Sequence, residues 1–489
     1  MNQKTLFKNT FYKSLLNIIN IVVPLIIGPY ITRLLDIELY GIYNKVYSEF
    51  QIFLTFASFG IYTYGIKEIS KVRNNKEKTS QLFTNLFVIA LITNSLCSLI
   101  YLIYSLVSSS GVTQTIYLIM LIQIVGNIFY IEYVNEALEN YRFITIKSII
   151  VKLFYLGALL LFVKKPSDIV MYAIIINLTV VLNNIISYVY AKKNIKFDFK
   201  NIKILKYIKP LLLIVIISNA EFLFAQLDRV MLGRYVNNVS VTIYYLAYYI
   251  MTTLMAVPSS IVSVSLPRLS FVLSNQGKEE YLLTFKKSVS ALFFIAIPMC
   301  IGVAVLAREV MYLYGGDKYL VAIPCLILAA IIRITFCIES SINNLVMYPN
   351  NKEKNLLKVL LCFGIINLII NYVLIKFNIF TPFTAMLTTG IIEFCLGLYE
   401  YYYVRKKMNL NIEIFTKDNF CYLILSLCFI PISIIIRKLN LGLIINILSI
   451  MSCCILFYVG ILYLRKDKNL FMIIDKIFGK IFQKIKKVK

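Results

Sequence analysis

The chain has 489 residues, of which 60% are apolar and only 15% are charged. Soluble domains carry about 25% charged residues, so this composition excludes a soluble enzyme. The sequence contains no histidine, the commonest metal ligand and general base, which argues against zinc hydrolysis and Ser-His catalysis. The formal net charge is +26, but the basic residues lie in short loops between apolar segments, which is the pattern that fixes membrane orientation. We therefore expect no nucleic-acid partner.

Apolar stretches long enough to cross a membrane recur along almost the whole chain. A crossing needs about 20 residues, and such stretches run from residue 11 to residue 464. We predict an all-α polytopic membrane protein with about fourteen transmembrane helices, which begin near residues 11, 41, 81, 114, 147, 168, 209, 240, 287, 319, 356, 380, 418 and 441. If the N-terminus is cytoplasmic, most of the 50 Lys and Arg residues fall on inner segments, so both termini are expected in the cytoplasm.

A basic loop, KKNIKFDFKNIKILKYIK (192–209), is the strongest internal boundary, because six predicted spans precede it and eight follow it. Arg33 and Tyr43 before the loop are echoed by Arg229 and Tyr244 after it, and repeated halves are how many transporters build a central site. The predicted segments are a six-helix bundle (1–208), a second, pseudo-symmetric six-helix bundle (209–404), two additional transmembrane helices (405–464) and a basic amphipathic cytoplasmic tail (465–489). The spacing of apolar residues and lysines in the tail predicts an interfacial helix on anionic lipid.

Ionisable side chains within or beside the predicted spans mark candidate functional positions, because a charge at the membrane centre costs at least about 2.5 to 3.5 kcal/mol. The residues predicted to line a central substrate-binding cavity are Arg33, Lys45, Glu49, Lys67, Glu68, Asp228, Arg229, Arg234 and Arg333. The carboxylates that are candidates for ion coupling are Glu132, Glu221 and Glu393. Since arginine offers phosphate two parallel hydrogen bonds, a pyrophosphate-linked lipid is a natural ligand for such a cavity.

Structural interpretations of these charges stay open beside the functional ones. Lys67, Glu68 and Arg234 lie near predicted interfaces, where long side chains reach water at little cost. Asp228 and Arg229 could form an ion pair at a helix end. Glu49 and Arg333 lie deeper in their predicted spans, which favours a role in the cavity.

Motifs for ATP hydrolysis and metal binding are missing from the sequence. There is no G-x-x-x-x-G-K-[ST] loop, so the chain does not hydrolyse ATP through a P-loop. The ten cysteines fall within or at the ends of apolar runs, as small core residues do. We therefore expect a secondary transporter with no catalytic residues, metal or cofactor, driven by a gradient, the membrane potential or the supply of substrate.

Three segments resemble the Wzx-type oligosaccharide flippases of the MOP superfamily. The first, PLIIGPYITRLLDIELYGIYN (24–44), has a Pro-Tyr-x-x-Arg end of span one before a Gly-x-Tyr start of span two, and GIYTYGIKEISKVR (60–73) follows it. The third, LDRVMLGRYVNNVSVTIYYLAYYI (227–250), is similar to the connection between spans seven and eight. The best matched functional positions are Arg33 and the pair formed by Asp228 and Arg229. The chain departs from many relatives by having Asp36 where they have a glycine.

The resemblance implies a MATE-like fold of two six-helix bundles and two C-terminal helices, with a cavity that opens alternately to each side. It implies that an undecaprenyl-pyrophosphate-linked oligosaccharide repeat unit is flipped across the bacterial cytoplasmic membrane for capsule, O-antigen or exopolysaccharide assembly. The partners it implies are that lipid-linked glycan, membrane lipids, a polysaccharide polymerase with its chain-length machinery, and a coupling proton or sodium ion. The alternatives are a lipid II-type flippase, a MATE multidrug exporter, and a membrane sugar polymerase, for which the short outer loops leave little room.

Overall fold

The structure is a computed structural model that describes residues 3–193, 195–200, 202–350, 352–472 and 474–475. For residues 3–11, 13, 14, 21, 216–225, 353 and 354 it describes the backbone alone. Within these residues the chain forms helices and loops without a strand. Most of the predicted amphipathic tail, residues 476–489, lies outside the described residues.

The described residues of the first part of the chain form ten α-helices, which include two interrupted spans. Their bounds are α1 Gln3–Leu34, α2 Ile37–Ser58, α3 Ile61–Val72, α4 Lys76–Ser108, α5 Gly111–Gly126, α6 Glu132–Ala137, α7 Tyr141–Phe162, α8 Ile169–Lys192, α9 Ile204–Tyr235 and α10 Asn238–Asn275. The break between α2 and α3 lies at Phe59 and Gly60, which both have the left-handed backbone conformation that ends a helix. A 3₁₀ turn, Asn127–Phe129, begins the break between α5 and α6.

The second part of the chain is also helical. Its helices are α11 Lys278–Val305, α12 Ala307–Gly315, α13 Ile323–Ile342, α14 Glu353–Lys376, α15 Pro382–Lys407, α16 Lys417–Leu427, α17 Phe429–Arg437 and α18 Leu443–Leu464. A π-helical turn, Asn343–Met347, extends α13. Short polar side chains start several helices in both parts, because an N-cap oxygen accepts otherwise unsatisfied backbone N–H groups: Asp36 caps α2, Asn75 caps α4 and Thr416 caps α16. Asp36, the departure from the flippase pattern, thus serves as a helix N-cap.

Twelve helical segments in the described part of the chain are long and apolar enough to cross a membrane. They coincide with every predicted span except the second and the seventh. At the second, α2 is a helix of 22 residues that includes Glu38, Lys45 and Glu49. At the seventh, α9 passes through residues 216–225, whose side chains lie outside the described residues. The prediction of an all-α polytopic membrane protein is confirmed, and the count of fourteen spans is approximate.

The chain packs into two compact units. The first unit comprises residues 1–245 and 360–385, and the second comprises residues 246–359 and 386–489. Packing of tyrosines such as Tyr40, Tyr43 and Tyr172 builds one apolar core of the first unit. These two units are defined by compact packing and not by internal repeats. They therefore do not test the predicted division of the chain at residues 208, 404 and 464, which stays a prediction.

Candidate functional site

A buried carboxylate on α2, Glu49, is the centre of a polar cluster in the first unit. The hydroxyl of Tyr104 on α4 donates to Glu49 Oε2 at 2.8 Å, and the hydroxyl of Tyr117 on α5 donates to the same oxygen. Arg234, in the last turn of α9, donates from Nε and Nη2 to Glu49 Oε1 at 3.3 and 3.2 Å, and also contacts the Tyr104 hydroxyl. Each oxygen of this buried charge therefore has a donor, as the cost of removing a carboxylate from water requires.

The side chain of Arg234 differs from that of Glu49 because about half of its surface remains exposed. A guanidinium has five N–H donors in a planar fork, and the Glu49 contacts occupy one edge of it. The arrangement can therefore hold the guanidinium from its buried side and present the rest to an anion. The sequence placed both residues among the candidates, and the structure brings them together from positions 185 residues apart.

Close packing of α2 against the beginning of α10 holds this cluster in place. Gly41 lies so near that a Cβ atom there would be 2.0 Å from the Asn238 carbonyl oxygen. About one turn away on each helix, the Thr242 hydroxyl donates to the Ile37 carbonyl at 2.8 Å. The Gly-x-Tyr motif at the start of α2 therefore has a steric reason, since only glycine allows the two backbones to approach this closely.

A second cluster surrounds Asp228 on α9, which is fully buried in the first unit. The Tyr244 hydroxyl donates to Asp228 Oδ2 at 2.8 Å, and Asn371 Nδ2 on α14 donates to Oδ1 at 2.8 Å. Asn371 also donates to Asn367 Oδ1 at 3.1 Å, one helical turn away. Hydrogen bonds thus link Asp228 on α9 to Asn371 and Asn367 on α14, and all three side chains are buried from solvent.

The neighbouring Arg229 is buried as well, but it meets different partners. Its Nη2 donates to Gln226 Oε1 at 2.5 Å, and its guanidinium lies 5.4 Å from the centre of the Tyr245 ring. Such a stack is a common environment for a buried arginine.

A third cluster, formed by Glu132, Lys147 and Ser187, is sealed inside the first unit. Lys147 Nζ on α7 donates to both oxygens of Glu132 at 2.9 and 2.8 Å and to the Ser187 hydroxyl at 2.5 Å. Ser187 on α8 donates in turn to Glu132 Oε2. Glu132 is one of the predicted candidates, whereas Lys147 is not, since the fifth predicted span begins near residue 147.

In the second unit, Arg333 on α13 is buried between aromatic rings. Its guanidinium lies 4.7 Å from the ring centre of Tyr248 and 5.0 Å from that of Phe336. Where α13 ends, the side-chain amide of Asn343 lies 3.4 Å from Glu339 Oε1. Its surroundings favour the orientation in which the amide oxygen and nitrogen are exchanged, and in that orientation the nitrogen donates to both oxygens of Glu400 at 2.9 Å. The predicted coupling residue Glu393 is half-buried on α15.

The remaining predicted residues are spread over the first unit. Arg33 ends α1 with an exposed side chain, whereas Lys45 is half-buried with its aliphatic stem against Gly233 of α9. Lys67 is exposed on α3, and Glu68 pairs with Lys71 at 2.7 Å near the surface. Glu221 belongs to α9, but its side chain lies outside the described residues.

Several polar residues of these clusters were missed by sequence analysis, namely Tyr104, Tyr117, Lys147, Asn367 and Asn371. The two asparagines had a readable signal, because residues four apart share a helix face and interrupt an otherwise apolar span. The tyrosines had none, since the chain contains 36 of them.

The chain matches a known protein family over more than half of its length. A family profile described as "Polysaccharide biosynthesis protein" matches residues 6–272. The chain belongs to this family. A relative from Shigella dysenteriae, named "Putative O-antigen transporter", is 21% identical over 378 residues, which cover 76% of this chain and 93% of the relative. The resemblance to Wzx-type flippases of the MOP superfamily is therefore confirmed for this polysaccharide biosynthesis protein.

Solved structures agree on the fold. The lipid II flippase MurJ in an inward closed conformation superposes with a TM-score of 0.70 at 14% identity, covering 94% of this chain and 99% of MurJ. The MATE multidrug transporter DinF-BH gives a TM-score of 0.55 at 17% identity, covering 84% of this chain and 94% of that one. The MATE-like fold of this polysaccharide biosynthesis protein is thus confirmed, while such distant likeness carries no information on substrate.

Proposed function

We propose that this polysaccharide biosynthesis protein is a flippase for undecaprenyl-pyrophosphate-linked oligosaccharide repeat units. It moves them by alternating access from the cytoplasmic to the outer leaflet of the bacterial inner membrane, for capsule, O-antigen or exopolysaccharide assembly. The observation that carries the proposal is the similarity to the relative named "Putative O-antigen transporter" over 93% of that relative's length. We propose no chemical step, because flipping breaks no bond.

The cationic residues of the first unit are the proposed contacts for the pyrophosphate. Arg234 is the strongest candidate, because Glu49 orients its guanidinium and half of its surface is exposed. We propose that the substrate is also bound by Arg33, Lys45 and Arg229 of the same unit and by Arg333 of the second unit. The roles of Lys67, Glu68 and Asp228 in substrate binding stay proposals of the same kind.

The coupling ion is a separate part of the proposal. Lys147 donates to both oxygens of Glu132. A buried ion pair of this kind favours a structural role for Glu132 over reversible protonation. Glu221 and Glu393 therefore stay the proposed coupling carboxylates. We also propose that both termini lie in the cytoplasm and that a polymerase and its chain-length machinery act on the flipped product.

Deletion of the gene tests the proposal, with mass spectrometry of the lipid extract and staining of surface polysaccharide. Complete repeat units trapped on the inner leaflet, with no surface polymer, are the expected result, and the complemented strain is the control. Single units exposed outside without polymer would instead make the protein a polymerase. Loss of cell-wall synthesis would indicate lipid II, and unchanged lipids with altered drug resistance would indicate a MATE exporter.

Two substitutions test the proposed contacts within the same assay. Arg33→Ala and Arg229→Ala are each expected to abolish surface polymer with normal protein level and membrane insertion, because each removes a cation from the proposed pyrophosphate site. Normal polymer from both variants would remove these residues from the site.

A further inference from the structure

A cavity of about 590 Å³ lies at the C-terminal end of α15 in the second unit. This cavity, which we call the α15 pocket, is lined by Tyr401, Tyr402, Arg405, Lys406, Asn409 and Asn411. The volume falls within the range of about 300 to 1,000 Å³ that is usual for small-molecule sites. Basic residues that only fix topology would need no such concave surface.

The segment after α15 builds the outer wall of this pocket. Asn409 has the left-handed conformation (φ 50°) that ends the helix and turns the chain back. Residues 410–415 then alternate, with Leu410, Ile412 and Ile414 buried and the residues between them exposed. Asn409 and Asn411 both line the pocket, and burial of Leu410, Ile412 and Ile414 anchors this wall.

The guanidinium of Arg405 is held in a fixed orientation inside the pocket. Its Nη1 donates to the Tyr401 hydroxyl at 3.1 Å and its Nη2 donates to Asn411 Oδ1 at 2.9 Å. These bonds use two of the five N–H donors of a guanidinium. The side chain is exposed, so the arrangement presents an oriented, charged donor group to a ligand.

The electrostatic surroundings favour an anion. Arg405, Lys406 and Lys407 form the last turn of α15, and Lys278 Nζ donates to the Asn409 carbonyl at 2.7 Å. Among the acids of the neighbouring segments, Glu413 is paired with Lys286 at 2.6 Å, which offsets its charge, and Glu279 and Glu280 follow Lys278 in the first turn of α11.

The position of the pocket indicates which anion it takes. The helix α15 is a candidate membrane span, and the sequence YEYYYVRKK (399–407) places four tyrosines within the six residues before three basic residues. Tyrosines followed by Lys and Arg are typical of a membrane–water interface, and basic pockets at that level bind lipid head groups. Phe415 is exposed and packs edge-to-face on Tyr401 at 5.8 Å, which provides an apolar surface for acyl chains.

We propose that the α15 pocket binds the phosphate head group of an anionic membrane phospholipid, with Arg405 as the main contact. The size of the cavity suits a whole head group better than a bare inorganic anion. The proposal requires the membrane location of the chain but not the identity of its transported substrate. A lipid bound here would stabilise the end of α15 against the segment that follows it.

Native mass spectrometry of the purified full chain in detergent tests the proposal, with phosphatidylglycerol as the probe and phosphatidylcholine as the neutral comparison. We expect one saturable phosphatidylglycerol site. Arg405→Gln is expected to weaken it about tenfold or more, because a charged hydrogen bond contributes about 1.5 to 3 kcal/mol. The matched control is Lys192→Gln, which also removes one positive charge. Lys192 ends α8, and its Nζ lies 3.7 Å from the centre of the Phe197 ring.

The outcomes separate the possible ligands. Equal binding of the two lipids, or equal loss in Arg405→Gln and Lys192→Gln, would overturn the proposal. Displacement of phosphatidylglycerol by millimolar inorganic phosphate or pyrophosphate would assign the pocket to a free anion instead. Arg405→Lys keeps the charge without the planar fork, so an affinity between those of the wild type and Arg405→Gln would support a bidentate phosphate contact. Gel filtration of each variant checks its fold.

Discussion

Two buried carboxylates of the first unit, Glu49 and Glu132, meet a cation and hydroxyl groups in similar ways but differ in access to solvent. The Glu132 pair is sealed, because the side chains of Lys147 and Glu132 are only 2% and 11% exposed. The Glu49 pair is open on one side, because the side chain of Glu49 is 4% exposed and that of Arg234 is 47% exposed. The same ionic chemistry can therefore fasten helices in one place and present a charged group in the other.

Energetics follow from this difference in access. A sealed pair has lost its water, so removal of one partner leaves an uncompensated charge in an apolar environment. At the open pair, water can take the place of the missing partner and screen the remaining charge. The sealed cluster should therefore matter for stability, and the open cluster should matter for transport.

The largest expected effect on stability is that of Lys147→Met. This change leaves Glu132 buried without its cation and should destabilise the protein by about 3 to 5 kcal/mol. The measurement is the apparent melting temperature and the monodisperse fraction in gel filtration after membrane extraction. We expect a strong loss of both.

The double variant Lys147→Met with Glu132→Leu is the control, because replacing both members of a buried pair by apolar residues is often neutral. We expect it to recover most of the stability and the transport. A double variant that folds normally but transports nothing would contradict the structural role and return Glu132 to the coupling path.

Packing of α2 against α10 gives the next largest effect. In Gly41→Ala the new methyl group would overlap the Asn238 carbonyl oxygen and crowd Thr242. Such overpacking costs about 1 to 3 kcal/mol. It should also shift Glu49 relative to Arg234 and so lower transport by more than the loss of stability alone would. Both the melting temperature and the amount of surface polymer are the measurements.

Gly157→Ala is the matched control for this steric argument. It lies inside α7 with nothing within 4 Å of a new Cβ atom, so the higher helix propensity of alanine should leave stability unchanged or raise it by up to about 1 kcal/mol. Equal effects of the two substitutions would mean that the close approach at Gly41 is not important.

The membrane fold could be predicted from sequence because each span is a local property of about 20 apolar residues. The break at Phe59 and Gly60 was not predicted, since it depends on a left-handed turn that leaves the apolar pattern continuous. Among the charges, Glu49 and Arg234 could be nominated separately by the cost of burial. Their pairing could not, because no sequence pattern relates residues 185 positions apart.

Lys147 was not among the candidates, because the fifth predicted span begins near residue 147 and a lysine at a span end is expected to reach water. In the structure it lies one turn and a half inside α7, facing Glu132 and Ser187. Snorkelling is a good default for lysine, but it fails when a buried carboxylate lies on a neighbouring helix. Tertiary contacts of this kind decide which membrane charges are structural.

The smallest expected effect on stability, joined to a large effect on transport, is that of Arg234→Gln. Because the side chain of Arg234 is half-exposed, water can replace it at Glu49 Oε1, so its loss should cost less than that of Lys147, about 1 to 2 kcal/mol, and the hydroxyl groups of Tyr104 and Tyr117 remain on Glu49 Oε2. Surface polymer should nevertheless fall about tenfold or more if the guanidinium contacts the pyrophosphate.

The matched control is Arg73→Gln, which breaks a partly exposed pair with Glu139 in the same unit but away from the Glu49 cluster. This control should leave both stability and polymer near wild type. A large loss of melting temperature in Arg234→Gln would instead show that the open cluster fastens helices as the sealed one does, and the contrast between them would then lie in geometry alone.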